Sequence, residues 1–143
     1  MNIRTHRAIS LLLSLSVITA LAGCVPNTMR NIQDVPVERF DSKPINMTDM
    51  EHAIRLAAFQ EEWEKVDLAA PGDMVVTKVD EDGKRSMTVD VLFTTSQFSI
   101  KYKTSTGYHY DPSVRRIDHH YLSMTDDLRD RIRDALQEIT PGG

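Results

Sequence analysis

The chain has a single cysteine, Cys24, among its 143 residues, so no disulfide within one chain can brace it. Glycine is sparse too, six in all: Gly72, Gly83 and Gly107 stand alone at turn positions, and no glycine-rich loop is available to cradle a phosphate. The serines are scattered, with no Gly-x-Ser-x-Gly elbow and no Ser/His/Asp arrangement, so nucleophilic catalysis finds no support. No apolar run reaches the ~20 residues that span a bilayer as a helix. Positive charge is in deficit, 17 Lys+Arg against 21 Asp+Glu for a net charge of −4, and this disfavours general nucleic-acid binding. Repeats and low-complexity tracts are missing too. What remains is an ordinary composition, 41% hydrophobic and 27% charged, which predicts one small folded domain with appendages.

The first appendage is at the N-terminus. Arg4, His6 and Arg7 precede an apolar run over residues 8–20, and the small residues Ala22 and Gly23 lead into Cys24. A basic start, a short apolar stretch and a small-residue exit read as a secretion signal over residues 1–23. Without Arg4 and Arg7 the net charge moves from −4 to −6.

Leu21-Ala22-Gly23-Cys24, directly after the apolar run, resembles the lipobox of bacterial lipoproteins. The resemblance implies that the Cys24 thiol carries diacylglyceryl and that Cys24 becomes the mature N-terminus. With an added N-acyl chain the protein would stay on its membrane, since stable anchoring takes more than one chain. Val25, where an Asp would signal inner-membrane retention in enterobacterial sorting, implies the outer membrane facing the periplasm in a Gram-negative host. In a Gram-positive cell the same lipobox implies the outer face of the plasma membrane. The alternative is a lone buried cysteine after a cleaved signal.

Residues 24–47 carry Pro26, Pro36 and Pro44 with no sustained period and read as the lipidated cysteine and a flexible tether, of which residues 35–40 could dock onto the domain. The domain itself is expected over residues 48–143. Thr48-Asp49-Met50-Glu51 fits a capping box, and the apolar arc Met50, Ala53, Ile54, Ala57, Phe59, Trp63 and Val66 predicts a helix ending before Pro71-Gly72. The period then changes to two, predicting strands over residues 73–80, 85–94 and 98–105. Turns at Asp82-Gly83 and Thr95-Ser96 set Val76 opposite Val89, Met74 opposite Val91, Phe93 opposite Phe98, Val91 opposite Ile100 and Asp90 opposite Lys101. Ser123-Met124-Thr125-Asp126 suggests a second capping box, followed by Leu128, Ile132, Ala135, Leu136 and Ile139 at helical spacing. The expected fold is α+β, a two-layer sandwich in which a three-stranded antiparallel meander is covered on one face by two helices (α-β-β-β-α).

One constellation resembles a site: Tyr108, His109, Tyr110 and Asp111, with His119 and His120 nearby. Histidine with carboxylate suits a metal or an acid/base pair, yet no His-x-x-x-His or His-Glu-x-x-His spacing occurs. The plainer reading packs Tyr108 and Tyr110 against the sheet, turns the chain at Asp111-Pro112 and leaves the histidines in water. Glu61, Glu62 and Glu64 read as a solvated helix flank, and Trp63 as core rather than a stacking surface. Arg115, Arg116, Arg129, Arg131 and Arg133 form a basic patch whose interleaved Asp126, Asp127, Asp130 and Asp134 suggest an ion-paired surface.

Residues 48–140, with the run 98–105 followed by Tyr108 to Asp111 and a closing helix, look like small proteobacterial lipoproteins of unassigned function. That resemblance implies fold and location and adds no activity. The leading expectation is a lipid-anchored envelope protein without catalysis or cofactor, bound to the membrane through Cys24. It would engage an envelope protein or polymer through its sheet edge or aromatic loop, and no nucleic acid. The alternative is a small metal-binding protein or enzyme built on His109, Asp111, His119 and His120. A third reading, a membrane-surface structural element, would use the arginine-rich last helix.

Overall fold

The computed structural model describes residues 27–140. The expected signal segment 1–23 and the lipidation at Cys24 lie outside the described residues. Within them the order is β1 (Ile32–Pro36), α1 (Met47–Gln60), β2 (Lys65–Ala70), β3 (Asp73–Val79), β4 (Ser86–Phe93), β5 (Gln97–Thr106) and α2 (His119–Glu138). The expected three-stranded meander is corrected to one five-stranded antiparallel sheet, ordered β1-β5-β4-β3-β2.

The central three strands follow from strict alternation. Every second residue of β4, from Met87 to Phe93, is buried, and β4 pairs with both β3 and β5. The observed partners include Val76 with Val89, Met74 with Val91, Val91 with Ile100, Phe93 with Phe98 and Asp90 with Lys101. These are the pairs that the two turns dictate, because a one-residue slip would carry every apolar side chain to the water face.

The two additional strands lie at the edges. β1 comes from the segment read as a tether: Ile32 pairs with Ile100 and Val35 with Phe98, and the register shifts between them. Asp34, inside that shift, has φ 51°, so the apolar spacing is three rather than two and the strand hides from a period-two search. Pro36, which lacks an amide hydrogen, is tolerated on an edge strand. β2 comes from the segment read as the end of the first helix, and it pairs Val66 with Val76 and Leu68 with Met74. Pro71-Gly72 is therefore the turn of a β2–β3 hairpin. Gly72 has φ +80°, and a Cβ there would lie 2.8 Å from the Phe93 carbonyl oxygen.

Both helices start earlier than their expected caps. Asn46 caps α1: its side chain accepts from the Asp49 amide at 2.9 Å, and Asp49 Oδ2 accepts from the Asn46 amide at 2.9 Å. The end of α1 is a Schellman motif, in which the Trp63 amide donates to Ala58 O (2.8 Å) and the Glu62 amide to Phe59 O (3.1 Å). Glu62 takes the left-handed position with φ 59°, where glycine is usual. Asp118 caps α2, accepting from the His120 amide at 2.9 Å, so α2 begins before the Ser123 box.

The apolar sheet face, the inner sides of α1 and α2, and Tyr108, Ile117 and Tyr121 form one core. The opposite sheet face carries Thr77, Thr88, Asp90, Lys101 and Thr104 and meets solvent. Among the described residues no helix is long and apolar enough to cross a membrane.

Candidate functional site

The loop after β5 carries most of the expected site residues, and it turns at Gly107. A Cβ at Gly107 would fall 3.0 Å from Lys84 O, so only glycine lets β5 pass the β3–β4 hairpin this closely. Tyr108 then enters the core, donating its hydroxyl to Asp80 Oδ1 at 3.1 Å, with the Arg85 guanidinium 5.4 Å from its ring centroid. Burial, and next the hydrogen bond to Asp80, push the Tyr108 hydroxyl up to about 12. Tyr110 is half-buried, its ring centroid 4.5 Å from that of Tyr102, and Tyr102 lies 5.6 Å from Tyr121. The tyrosines of this region are thus engaged in packing.

Asp111 makes a local turn, accepting from the Ser113 hydroxyl (2.6 Å) and amide (2.9 Å), which hold its carboxyl below the ordinary value. Across that turn the Asp111 amide donates to Arg116 O, and the Arg116 amide donates back. His109 is exposed at φ 51°. Neither His109 nor Asp111 joins His119 and His120.

The residue that does join them is Asp118. Its Oδ1 lies 3.3 Å from His119 Nδ1 and 3.0 Å from His120 Nδ1, and the two imidazole rings are 4.0 Å apart at 37°. Donor atoms of all three residues fall within 4.8 Å of one another. The Asp118 amide donates to Tyr108 O at 2.9 Å and the Tyr121 amide donates to Asp118 O at 3.1 Å, so the aspartate is seated on buried neighbours. The His120 amide, donating first among the causes, lowers the Asp118 carboxyl from its ordinary value. Asp118 does not stand out in the sequence, because it lies between the expected strand 98–105 and the expected cap at Ser123. The available signal was an Asp directly before His-His, at a position that caps the helix.

An open groove of about 1150 Å³ lies between the end of α1 and the β3–β4 hairpin, lined by Phe59, Trp63, Lys78, Val79 and Arg85 together with Glu62, Glu64, Glu81 and Asp82. Trp63 is 95% buried there, and its Nε1 has no hydrogen-bond partner among the described residues. Its expected role in the core is observed, although it reaches the core from a helix cap rather than from a helix face. Glu61 pairs with Arg131 (3.1 Å), and Arg129 pairs with Asp126 and Asp130 at 2.8 and 2.9 Å, so two arginines of the basic patch, Arg129 and Arg131, are ion-paired.

A second surface lies at the other end of α2. Arg39, whose side chain is only 6% exposed, donates to the Leu136 and Ile139 carbonyls and to both Asp41 carboxylate oxygens (2.9 Å). The Gln137 side chain accepts from the Phe40 amide at 2.9 Å and donates to Glu38 O at 2.5 Å. These contacts fix the backbone on both sides of Phe40, yet the residue itself is 95% exposed.

Compared with known proteins, the chain matches no family model, no curated protein and no solved structure.

Proposed function

We propose that this chain is a cell-envelope lipoprotein, anchored through acyl groups on Cys24, whose folded body is a non-catalytic interaction module. The lipobox Leu21-Ala22-Gly23-Cys24 supports the anchor, and Val25 supports the outer membrane facing the periplasm. Three residues lead from Cys24 to Asn27, whose carbonyl accepts from the Ile117 amide at 3.0 Å. Three extended residues reach about 10 Å, so the anchor would hold this end of the body close to the lipid.

Phe40 carries the interaction reading. Its loop is clamped at the far end of α2, about 30 Å from the helix start at 1.5 Å per residue. Burying such a ring is worth roughly 1.5–3 kcal/mol, and the clamp by Arg39 and Gln137 denies it that burial within the chain. A partner protein with an apolar socket would recover this energy, with little ordering entropy lost because the loop is already set.

A photoreactive phenylalanine analogue at position 40, in intact cells, tests the reading. A discrete protein adduct is expected, and it should vanish when the probe is moved to Thr104 on the open sheet face. The same adducts from both positions would overturn the Phe40 assignment. Mass spectrometry of the membrane-purified protein is expected to show acyl groups on an N-terminal Cys24, and an unmodified Cys24 would overturn the anchor.

A further inference from the structure

We infer that Asp118, His119 and His120 form a binding site for a divalent first-row transition ion of borderline softness, such as Zn2+ or Cu2+. The inference goes beyond the interaction-module reading and does not depend on the anchor. Its basis is the juxtaposition of two imidazole nitrogens and one carboxylate oxygen within 4.8 Å of one another at the start of α2.

The spacing fits such an ion. With metal–ligand bonds of about 2.0–2.1 Å, neighbouring donors of a tetrahedral site are separated by about 3.3 Å. Those of a square-planar site are separated by about 2.9 Å. The two oxygen–nitrogen separations, from Asp118 Oδ1 to His119 Nδ1 (3.3 Å) and to His120 Nδ1 (3.0 Å), fall in that range, and all three donors lie within 4.8 Å of one another. Both rings present the same nitrogen, Nδ1, toward one oxygen, and both are exposed, so an ion has direct access and the remaining coordination positions face water. Imidazole and carboxylate together suit zinc, copper or nickel, whereas calcium and magnesium demand oxygen donors.

The support beneath the site is rigid. Asp118 is held by the hydrogen bond that its amide donates to Tyr108 O and by the His120 amide on its carboxylate, while Ile117 and Tyr121 on either side are buried. A helix start repels cations through its partial positive charge, so the Asp118 charge has to offset that potential for an ion to bind. This makes Asp118→Asn an informative variant: asparagine caps a helix as well as aspartate does, so the fold is kept while the charge is removed.

The test is calorimetric titration of the full chain, purified in detergent and stripped with chelator, with Zn2+ and separately with Cu2+ at about pH 7.5. One equivalent is expected to bind. His119→Ala, His120→Ala and Asp118→Asn should each weaken binding by about tenfold or more. His52→Ala and His109→Ala, which alter exposed histidines elsewhere, should leave it unchanged. With Cu2+, electron paramagnetic resonance should show two coupled nitrogens, falling to one in either single histidine variant. Melting in chelator confirms that each variant is folded. No binding by the wild-type chain, binding that survives the double histidine variant, or an equal loss in His109→Ala would overturn the site.

Discussion

Arg39 shows how one side chain can settle a whole corner of the molecule. The last carbonyls of a helix lack intrahelical partners, and here the guanidinium meets two of them, Leu136 O and Ile139 O, while its other nitrogens pair with Asp41. The pairing has a consequence for pH. The hydrogen bond from Arg39, then that from the Lys43 amide, lowers the Asp41 carboxyl from 3.8 to about 2. A carboxylate lowered in the fold contributes stability above its unfolded value and loses it as pH falls through the folded one. The clamp around Phe40 is therefore expected to loosen between pH 3.8 and about 2, read as increased hydrogen exchange at the Phe40 amide. Arg39→Lys should remove the acid-dependent step, because an ammonium cannot reproduce the planar two-nitrogen contact with Asp41. Nothing in the local sequence singles Arg39 out as a helix cap, since the carbonyls it meets lie about a hundred residues along the chain.

Among the elements, the end of α1 shows most clearly where local reading stops. The apolar arc through Trp63 and Val66 continues beyond the true helix, because both residues do face the core, Trp63 from the cap and Val66 from β2 opposite Val76. Helical spacing and core-facing position coincide there by accident of the turn. The Schellman end was invisible because Glu62, not glycine, stands at φ 59°. That position is strained for a residue with a Cβ, by about 1–2 kcal/mol. Glu62→Gly is accordingly expected to stabilise the protein by about 1 kcal/mol, offset in part by glycine's greater freedom when unfolded, with urea denaturation as the check. The central hairpins were legible for the opposite reason: β3, β4 and β5 alternate cleanly and their turns are short, so register follows from pattern alone. The edge strands were not, since β1 is broken by the shift at Asp34 and β2 is largely exposed, with Leu68 at 43%.

For the molecule as a whole, the alkaline limit is set by its buried phenols. Burial raises Tyr108 to about 12 and raises Tyr121 further, so both must stay neutral for the fold to keep its core. A phenol raised above its unfolded value contributes stability in full below that value and loses it as the folded one is passed. Cooperative unfolding is therefore expected as pH rises from 10 towards about 12, with phenolate absorbance appearing together with loss of the melting transition. Ionisation well before unfolding would show that Tyr108 is not held as described. The same global arrangement separates the two ends of the body. Asn27 pairs with Ile117 just before α2 begins, and Phe40 stands where α2 finishes, so the two lie at opposite ends of that helix.

The candidate site divides along the same line as the fold. Tyr108, Tyr110, His119 and His120 stood out as residue types, and the two amphipathic helices, the central hairpins and their pairing followed from periodicity and turn chemistry, which act over a few residues. Tertiary structure decided the rest. It excluded His109 and Asp111 from the histidine pair, brought in Asp118, drew Ile32–Pro36 from an apparent tether into the sheet and set Arg39 against a helix end far along the chain. The physical reason is that these contacts are non-local. An edge strand or a helix cap gains its stability only from a surface that another part of the chain supplies, and a single stretch of sequence carries no record of that surface.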